Sequence, residues 1–256
     1  MTSQLSFKSS SEHYVSRLKA AAFRHRAVRH PYLMALRSGS LPQHRRAVID
    51  FAEQYSNYSS SFVPFLATLK PQLAQPEHRK IIAENLAEES GHYDEETLVE
   101  LADAGIPSSD FNEVPHHELF VRFTKAVGAH PREPGFPVRQ WQQSMLSLMA
   151  QPGGHEGVGA LGLGTEFIVP TLYASIEQAL RELPELSSYD TTFFALHGPV
   201  DERHQSELSA MAVELADSTN GRTRLARGMF EALELRACVW DWLHERATVR
   251  VQEATL

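Results

Sequence analysis

From Ser11 to about Val249 the apolar residues of this chain recur at every third or fourth position. No stretch alternates with a strand period for more than a few residues. A chain patterned this way buries its apolar stripes by packing helix on helix, so the expected fold class is all-α. The expectation is a single-domain helical bundle of about seven to eight core helices.

The punctuation sets the expected elements. A first helix begins near Ser11, and a second follows Gly39 and Pro42 through Val48 and Tyr55. A third covers Tyr58 to Leu69, with Pro64 near its start or kinking it. A fourth runs from Pro76 to Ala104 and stops at Gly105. A fifth carries Leu119, Phe120, Phe123 and Val127. The segment GAHPREPGFP reads as a loop, and VRQWQQSMLSLMAQ as a helix broken by PGG. Three further helices are expected over Val158–Leu183, Ser188–Ala216 and Arg222–Val249, with tails at 1–10 and 250–256.

Bulk properties exclude several classes. At 256 residues the chain can bury a sizeable core without staples. Its net charge of −8 offers no field for nucleic acid. A lone cysteine, Cys238, excludes an internal disulfide and any multi-cysteine cluster; it reads as a small buried hydrophobe near Trp240. No apolar leader or membrane-length run is present, so a cytoplasmic protein with no membrane partner is expected. A homodimer is plausible for a bundle of this size.

Three segments stand apart from ordinary amphipathic helix. In FFALHGPVDERHQSEL, His197, Asp201 and His204 have i, i+4, i+7 spacing, which stacks them in one column of a continuous helix. A solvated face shared with Glu202 and Arg203 is the alternative. In ENLAEESGHYDEE, Glu89 and His92 have i, i+3 spacing, and Glu88 with His92 at i, i+4 is a competing pair. In VGALGLGTEFIVPTLYASI, Glu166 is the only charged residue between Glu156 and Glu177. A carboxylate in such surroundings is costly unless paired or metal-bound. The alternative is a first-turn position behind a Thr165 cap. Pro170 removes the helical donor to the Glu166 carbonyl, so a kink or a late helix start is expected there. His116, His117 and Glu118 read as the surface of a helix start. His155 and Glu156 read as loop.

The six residues Glu89, His92, Glu166, His197, Asp201 and His204 offer oxygen and nitrogen ligands without thiolate, a set that suits non-haem iron or manganese. In order and type, EESGH, GTEFIVP and HGPVDERH resemble the haem-oxygenase-like di-iron oxidases and oxygenases. HPYLMALRSGSLPQHRRAVIDFAEQYSNYSSSFVPFLATL resembles the entry helices that this fold shares with thiaminase II and pyrroloquinoline-quinone synthase. The resemblance spans about residues 25–216 and implies a haem-oxygenase-like bundle. It implies two Fe2+ ions, with manganese as a substitute, and O2 as co-substrate. Glu89, His92, Glu166 and His197 would bind iron, with Asp201 and His204 helping to hold the second ion and Glu166 or Glu89 bridging. The Gly198–Pro199 pair implies a kink within the ligand-bearing element.

The implied activity is oxidation of a small substrate. A free amino acid or a derived metabolite is the first choice, by desaturation, C–C cleavage or N-oxygenation, with an external electron donor as a possible partner. A fatty-acid-oxidising enzyme, a metal-free thiaminase II-like or quinone-synthase-like enzyme, and a non-enzymatic metal-binding bundle are the alternatives. Candidate substrate contacts are Tyr55, Tyr58, Phe62, Tyr93 and Tyr173, against plain core packing for each. Arg122, Arg139 and Arg203 are candidate carboxylate clamps, against a solvated surface role.

Overall fold

The computed structural model describes the backbone of residues 2–197 and 199–249, with side chains described except for 2–9 and 199–202. Among the described residues there is no strand. Thirteen α-helices follow one another among the described residues: α1 (Thr2–Arg24), α2 (Pro31–Arg37), α3 (His44–Ser59), α4 (Phe62–Leu69), α5 (Pro76–Glu89), α6 (Glu95–Asp103), α7 (His116–Ala126), α8 (Phe136–Met149), α9 (His155–Val158), α10 (Val169–Leu180), α11 (Thr192–Leu196), α12 (Pro199–Leu215) and α13 (Thr219–Thr248). Short 3₁₀ turns follow α4 and precede α7. No described helix is long and apolar enough to cross a membrane.

The helices outnumber the seven or eight expected because three of the long expected helices are broken where the site lies and α2 has no expected counterpart. The segment read as one helix from Pro76 to Ala104 is two. Helix α5 ends at Glu89, and Gly91 takes a φ of 87°, which reverses the chain before Asp94 caps α6. A methyl group at Gly91 would lie 2.7 Å from the backbone of Val114, so only glycine lets the strand of chain leading into α7 cross here. The segment read as one helix from Ser188 to Ala216 is α11 and α12, divided at His197, which caps α11. Proline at the first position of α12 lacks the amide that would have continued the α11 ladder.

The third break has the kink expected around Glu166. After α9 the chain winds as a π-helix over Gly159–Glu166, and α10 begins at Val169 with Pro170 in its first turn. A π-helical stretch carries wider spacing between side chains and recurs at functional sites. The 30-residue α13 runs against this segment, and packs as well on α8, α9 and α3. The glycines serve that approach: a methyl group at Gly159 would overlap the Leu225 carbonyl of α13.

The core is aromatic around α3, α8 and α13. Tyr58 stacks on Trp141 at 3.5 Å between ring centroids, and Tyr55 stacks on Trp240 at 6.1 Å. The HPREPGFP loop is strapped to α3. Glu53 pairs with Arg132 at 3.0 Å, and the Gln54 side chain accepts from the Gly135 amide at 2.8 Å. Cys238, read as buried, is exposed on α13.

Candidate metal centre

Four breaks or ends of helices meet at one place. Glu89 closes α5, His116 opens α7, Glu166 ends the π-helix and His197 caps α11. Glu89, His116 and His197 each offer a ligand atom, and these atoms lie within 4.8 Å of one another. Glu89, Glu166 and His197 also line one cavity, together with Tyr55, Tyr58, Phe62 and Tyr173.

Each imidazole is oriented from behind. Nδ1 of His197 donates to the Phe193 carbonyl at 2.6 Å, so Nε2 is the unprotonated nitrogen. Burial, and then the neighbouring His116 ring, push the His197 pKa down to about 4, so the ring is neutral near pH 7. Nε2 of His116 shares a 2.6 Å hydrogen bond with the Tyr93 hydroxyl, which leaves Nδ1 to face Oε1 of Glu89 at 3.1 Å.

A second pair sits beside the first. Nε2 of His204, on α12, lies 3.0 Å from Oε2 of Glu88, and Glu88 also binds Arg203. Burial would depress the His204 pKa, but the Glu88 contact and the charge of Glu166 raise it overall. Burial raises Glu166 to about 7, against the pull of His204 and with the charge of Glu89 adding to the rise. For Glu89, burial works upward, but His116, then His197 and His204, hold it below the usual carboxylate value.

The donor set fits a metal on a directional argument. The 3.1 Å and 3.0 Å contacts are short enough for hydrogen bonds, yet His116 Nδ1, Glu88 Oε2 and His204 Nε2 make none with acceptable direction. Buried nitrogen and oxygen atoms that touch without pointing at each other attract through charge but leave their hydrogen-bonding capacity unspent. The same arrangement is expected of ligand atoms that converge on a shared third point. Carboxylates and imidazoles without thiolate suit iron or manganese.

The sequence-based residue set is placed unevenly. Glu89, Glu166, His197 and His204 come together. His92 does not: it is exposed, in the turn after α5, because Gly91 ends the helix on which the i, i+3 spacing depends. The imidazole beside Glu89 is instead His116, which is 3 % exposed and not the helix-start surface it resembled. Its signal in the sequence was faint: a histidine three residues before the buried Leu119–Phe120 pair, one turn up the apolar face. The side chain of Asp201 lies outside the described residues.

Tyr93 supports His116 and is not in the cavity lining. Arg122 sits over the Tyr189 ring, Arg139 bonds the Pro134 carbonyl, and Arg203 binds Glu88 and Thr97, so none of the three lines the cavity. A guanidinium does stand behind that cavity, and the sequence reading missed it: Arg236 of α13, fully buried and bonded to Tyr55 and Tyr58.

A family model described as iron-containing redox enzyme matches residues 49–237, a span that holds every described residue of this site. The chain belongs to the iron-containing redox enzyme family. Among its relatives, this redox-family chain is 25% identical over 243 residues to the 4-chloro-allylglycine synthase of Streptantibioticus cattleyicolor, covering 91% of this chain and 83% of that protein. Its fold is similar to that of a CADD-like protein of unknown function from Nostoc punctiforme, with a TM-score of 0.70 at 15% identity over 96% of this chain and 99% of that one. A domain with a heme oxygenase-like fold from Shewanella denitrificans gives a TM-score of 0.65 at 13% identity, over 96% of each chain. A TenA homologue from Pyrococcus furiosus gives 0.62 at 15% identity, over 91% of this chain and 98% of that one. The haem-oxygenase-like bundle expected from the sequence is the fold observed.

Proposed function

We propose that this family member is a non-haem di-iron oxidase or oxygenase that uses O2 to oxidise a small amino-acid-like substrate. The observation that carries the reading is the convergence of Glu89, His116 and His197, with Glu166 and His204 beside them, at a place where His116 Nδ1 and His204 Nε2 lack directed partners. Glu89, Nδ1 of His116 and Nε2 of His197 would hold one ion. Glu166 and His204 would hold the second with Asp201. Two ferrous ions bound there supply the electrons and open coordination positions that dioxygen reduction requires.

The protein supplies orientation and dryness. Phe193 fixes the His197 tautomer and Tyr93 fixes His116, so both rings are aligned before a metal arrives. The cavity between these ligands and Tyr55, Tyr58, Phe62, Val169, Tyr173 and Phe193 is only about 20 Å³, room for about one water molecule. A substrate therefore has to part the partly exposed Ser59 and Phe62 to enter, and water is excluded beneath it. An amino-acid-like substrate is favoured by the relative whose name records synthesis of a chlorinated allylglycine. A thiaminase II-like reaction would need a thiol in the cavity, and the lone cysteine, Cys238, is exposed elsewhere on α13.

The test is anaerobic titration with ferrous ion, followed by exposure to oxygen under absorption spectroscopy. Two irons per chain and an oxygen-dependent absorption change are expected, and Glu166→Ala should abolish the change. Binding of fewer than two irons by the wild type, or an unaltered response in Glu166→Ala, would overturn the proposal. Screening free amino acids and fatty acids for faster oxygen consumption then identifies the substrate and any need for an external electron donor.

A further inference from the structure

Behind the cavity stands a positive charge that is not itself a metal ligand. Arg236 is 0 % exposed, and among the described residues no carboxylate lies within ion-pair distance of it, although its charge reaches Glu166. Its Nη1 donates to the Tyr55 hydroxyl at 3.2 Å and its Nη2 to the Tyr58 hydroxyl at 3.4 Å, while Nε has no acceptor. The guanidinium lies over the Trp141 ring at 4.7 Å and the Tyr58 ring at 5.3 Å. Aromatic faces soften the burial of a cation, but they do not neutralise it. A buried charge without a contact ion pair is costly and favours an anionic partner beside it.

The hydroxyl protons show where that partner sits. Tyr55, Tyr58 and Tyr173 all line the cavity, as does Thr165. A guanidinium only donates, so Arg236 occupies lone pairs on Tyr55 and Tyr58 and leaves their protons free. Tyr55 and Tyr173, at 3.1 Å, use one proton between them. The Thr165 hydroxyl, next to Tyr58, has no partner of its own. Even if Tyr58 and Thr165 bond to each other, one proton of that pair stays unspent, as does one from Tyr55 and Tyr173. At least two O–H donors, backed by a positive charge, therefore lack acceptors in the cavity wall. A carboxylate accepts two such bonds and answers the charge, whereas an ammonium would be repelled.

The geometry points to an oxyanion subsite formed by Tyr55, Tyr58 and Tyr173 with Arg236 behind them, which binds the carboxylate of the substrate and directs its carbon chain toward Glu89 and His197. The subsite rests on the proposed activity for its purpose but not for its chemistry. Arg236 acts through the tyrosines and is a positioning residue. Phe62, Val169 and Phe193 form the apolar walls along which the chain would lie. Both amino acids and fatty acids carry the required group, and the second functional group distinguishes them.

The experiment compares L-norleucine and hexanoate with norleucinamide and hexanamide. Binding to the iron-loaded and the metal-free protein is followed by tryptophan fluorescence, since Trp141 and Trp240 stack on Tyr58 and Tyr55. At least one acid should bind about tenfold more tightly than its amide, in both metal states. Tyr58→Phe keeps the ring and its stacking, and should cut that preference by about fivefold with unchanged iron content, while the lost acceptor for Arg236 Nη2 lowers the melting temperature modestly. Arg236→Lys should cut it as well. Preference for L-norleucine over hexanoate marks the amino-acid source, and the reverse marks the fatty-acid source. Equal binding of acid and amide, an acid preference confined to the iron-loaded protein, or an unaltered preference in Tyr58→Phe overturns the subsite. Acid preference in a protein that takes up no iron upholds the subsite and sinks the di-iron reading. Uptake of two irons without acid preference does the opposite.

Discussion

Oε2 of Glu88 lies 3.0 Å from Nε2 of His204, and the same carboxylate binds Arg203. Glu88 thus stands where a metal would compete for the His204 ring. The contact also fixes the sign of a pH effect. The folded pKa of His204 is raised above its ordinary 6.5, so its stabilising contribution is full below pH 6.5 and is lost as pH rises through the folded value. The metal-free protein should therefore melt at lower temperature at pH 9 than at pH 7. Glu88→Gln should shrink that fall by at least half, as read by circular dichroism. An unchanged slope would falsify this role for Glu88.

Glu166 has the opposite cause and the same sign. Burial raises its pKa from 4.5 to about 7, so the metal-free protein should lose stability from this group as pH climbs through that window. A metal ligand must give up its proton, so ferrous ion binding should weaken by up to about tenfold per pH unit below pH 7 from this site alone. Calorimetric titration in buffers of different ionisation enthalpy should register the released proton, and no proton should be released by Glu166 in Glu166→Ala.

His116 and His92 separate the structure from the sequence pattern. His116→Ala removes a buried ring facing Glu89, and should cut ferrous ion affinity by at least a hundredfold. His92→Ala changes an exposed residue and should leave iron content intact. Tyr93→Phe, which removes only the hydroxyl behind His116, should weaken binding about tenfold to a hundredfold. Iron analysis after desalting measures all three, and loss of iron in His92→Ala alone would return the assignment to the Glu-x-x-His spacing.

The π-helix depends on close approach to α13. Gly159→Ala places a methyl group against the Leu225 carbonyl, which is backbone and cannot swing aside. A loss of about 1–3 kcal/mol is expected, with a melting temperature lower by several degrees. Because the shift propagates to Glu166 at the other end of the segment, iron affinity should fall with it.

How much of the site was legible depended on where each residue's partners lay. Glu166 could be singled out because its neighbours along the chain are apolar, and burial of that segment makes a lone carboxylate conspicuous. Glu89, His197 and His204 were found through helical spacings, yet the helices assumed for those spacings are interrupted at Gly91 and at His197. The residues meet because the ends of separate helices converge on one point. His92 fits the spacing and misses the point. His116 and Arg236 show no local pattern of a ligand or an anion site, since their partners stand on other helices.

The periodicity and the punctuation by glycine and proline determined an all-α bundle and most of its elements, because burial of an amphipathic stripe is encoded along a single helix. Tertiary structure alone decided which imidazole faces Glu89, which arginine backs the cavity and which nitrogen of His197 is left open. Those outcomes follow from contacts between helices distant in the chain, and neighbouring residues along the chain exert no force that selects them.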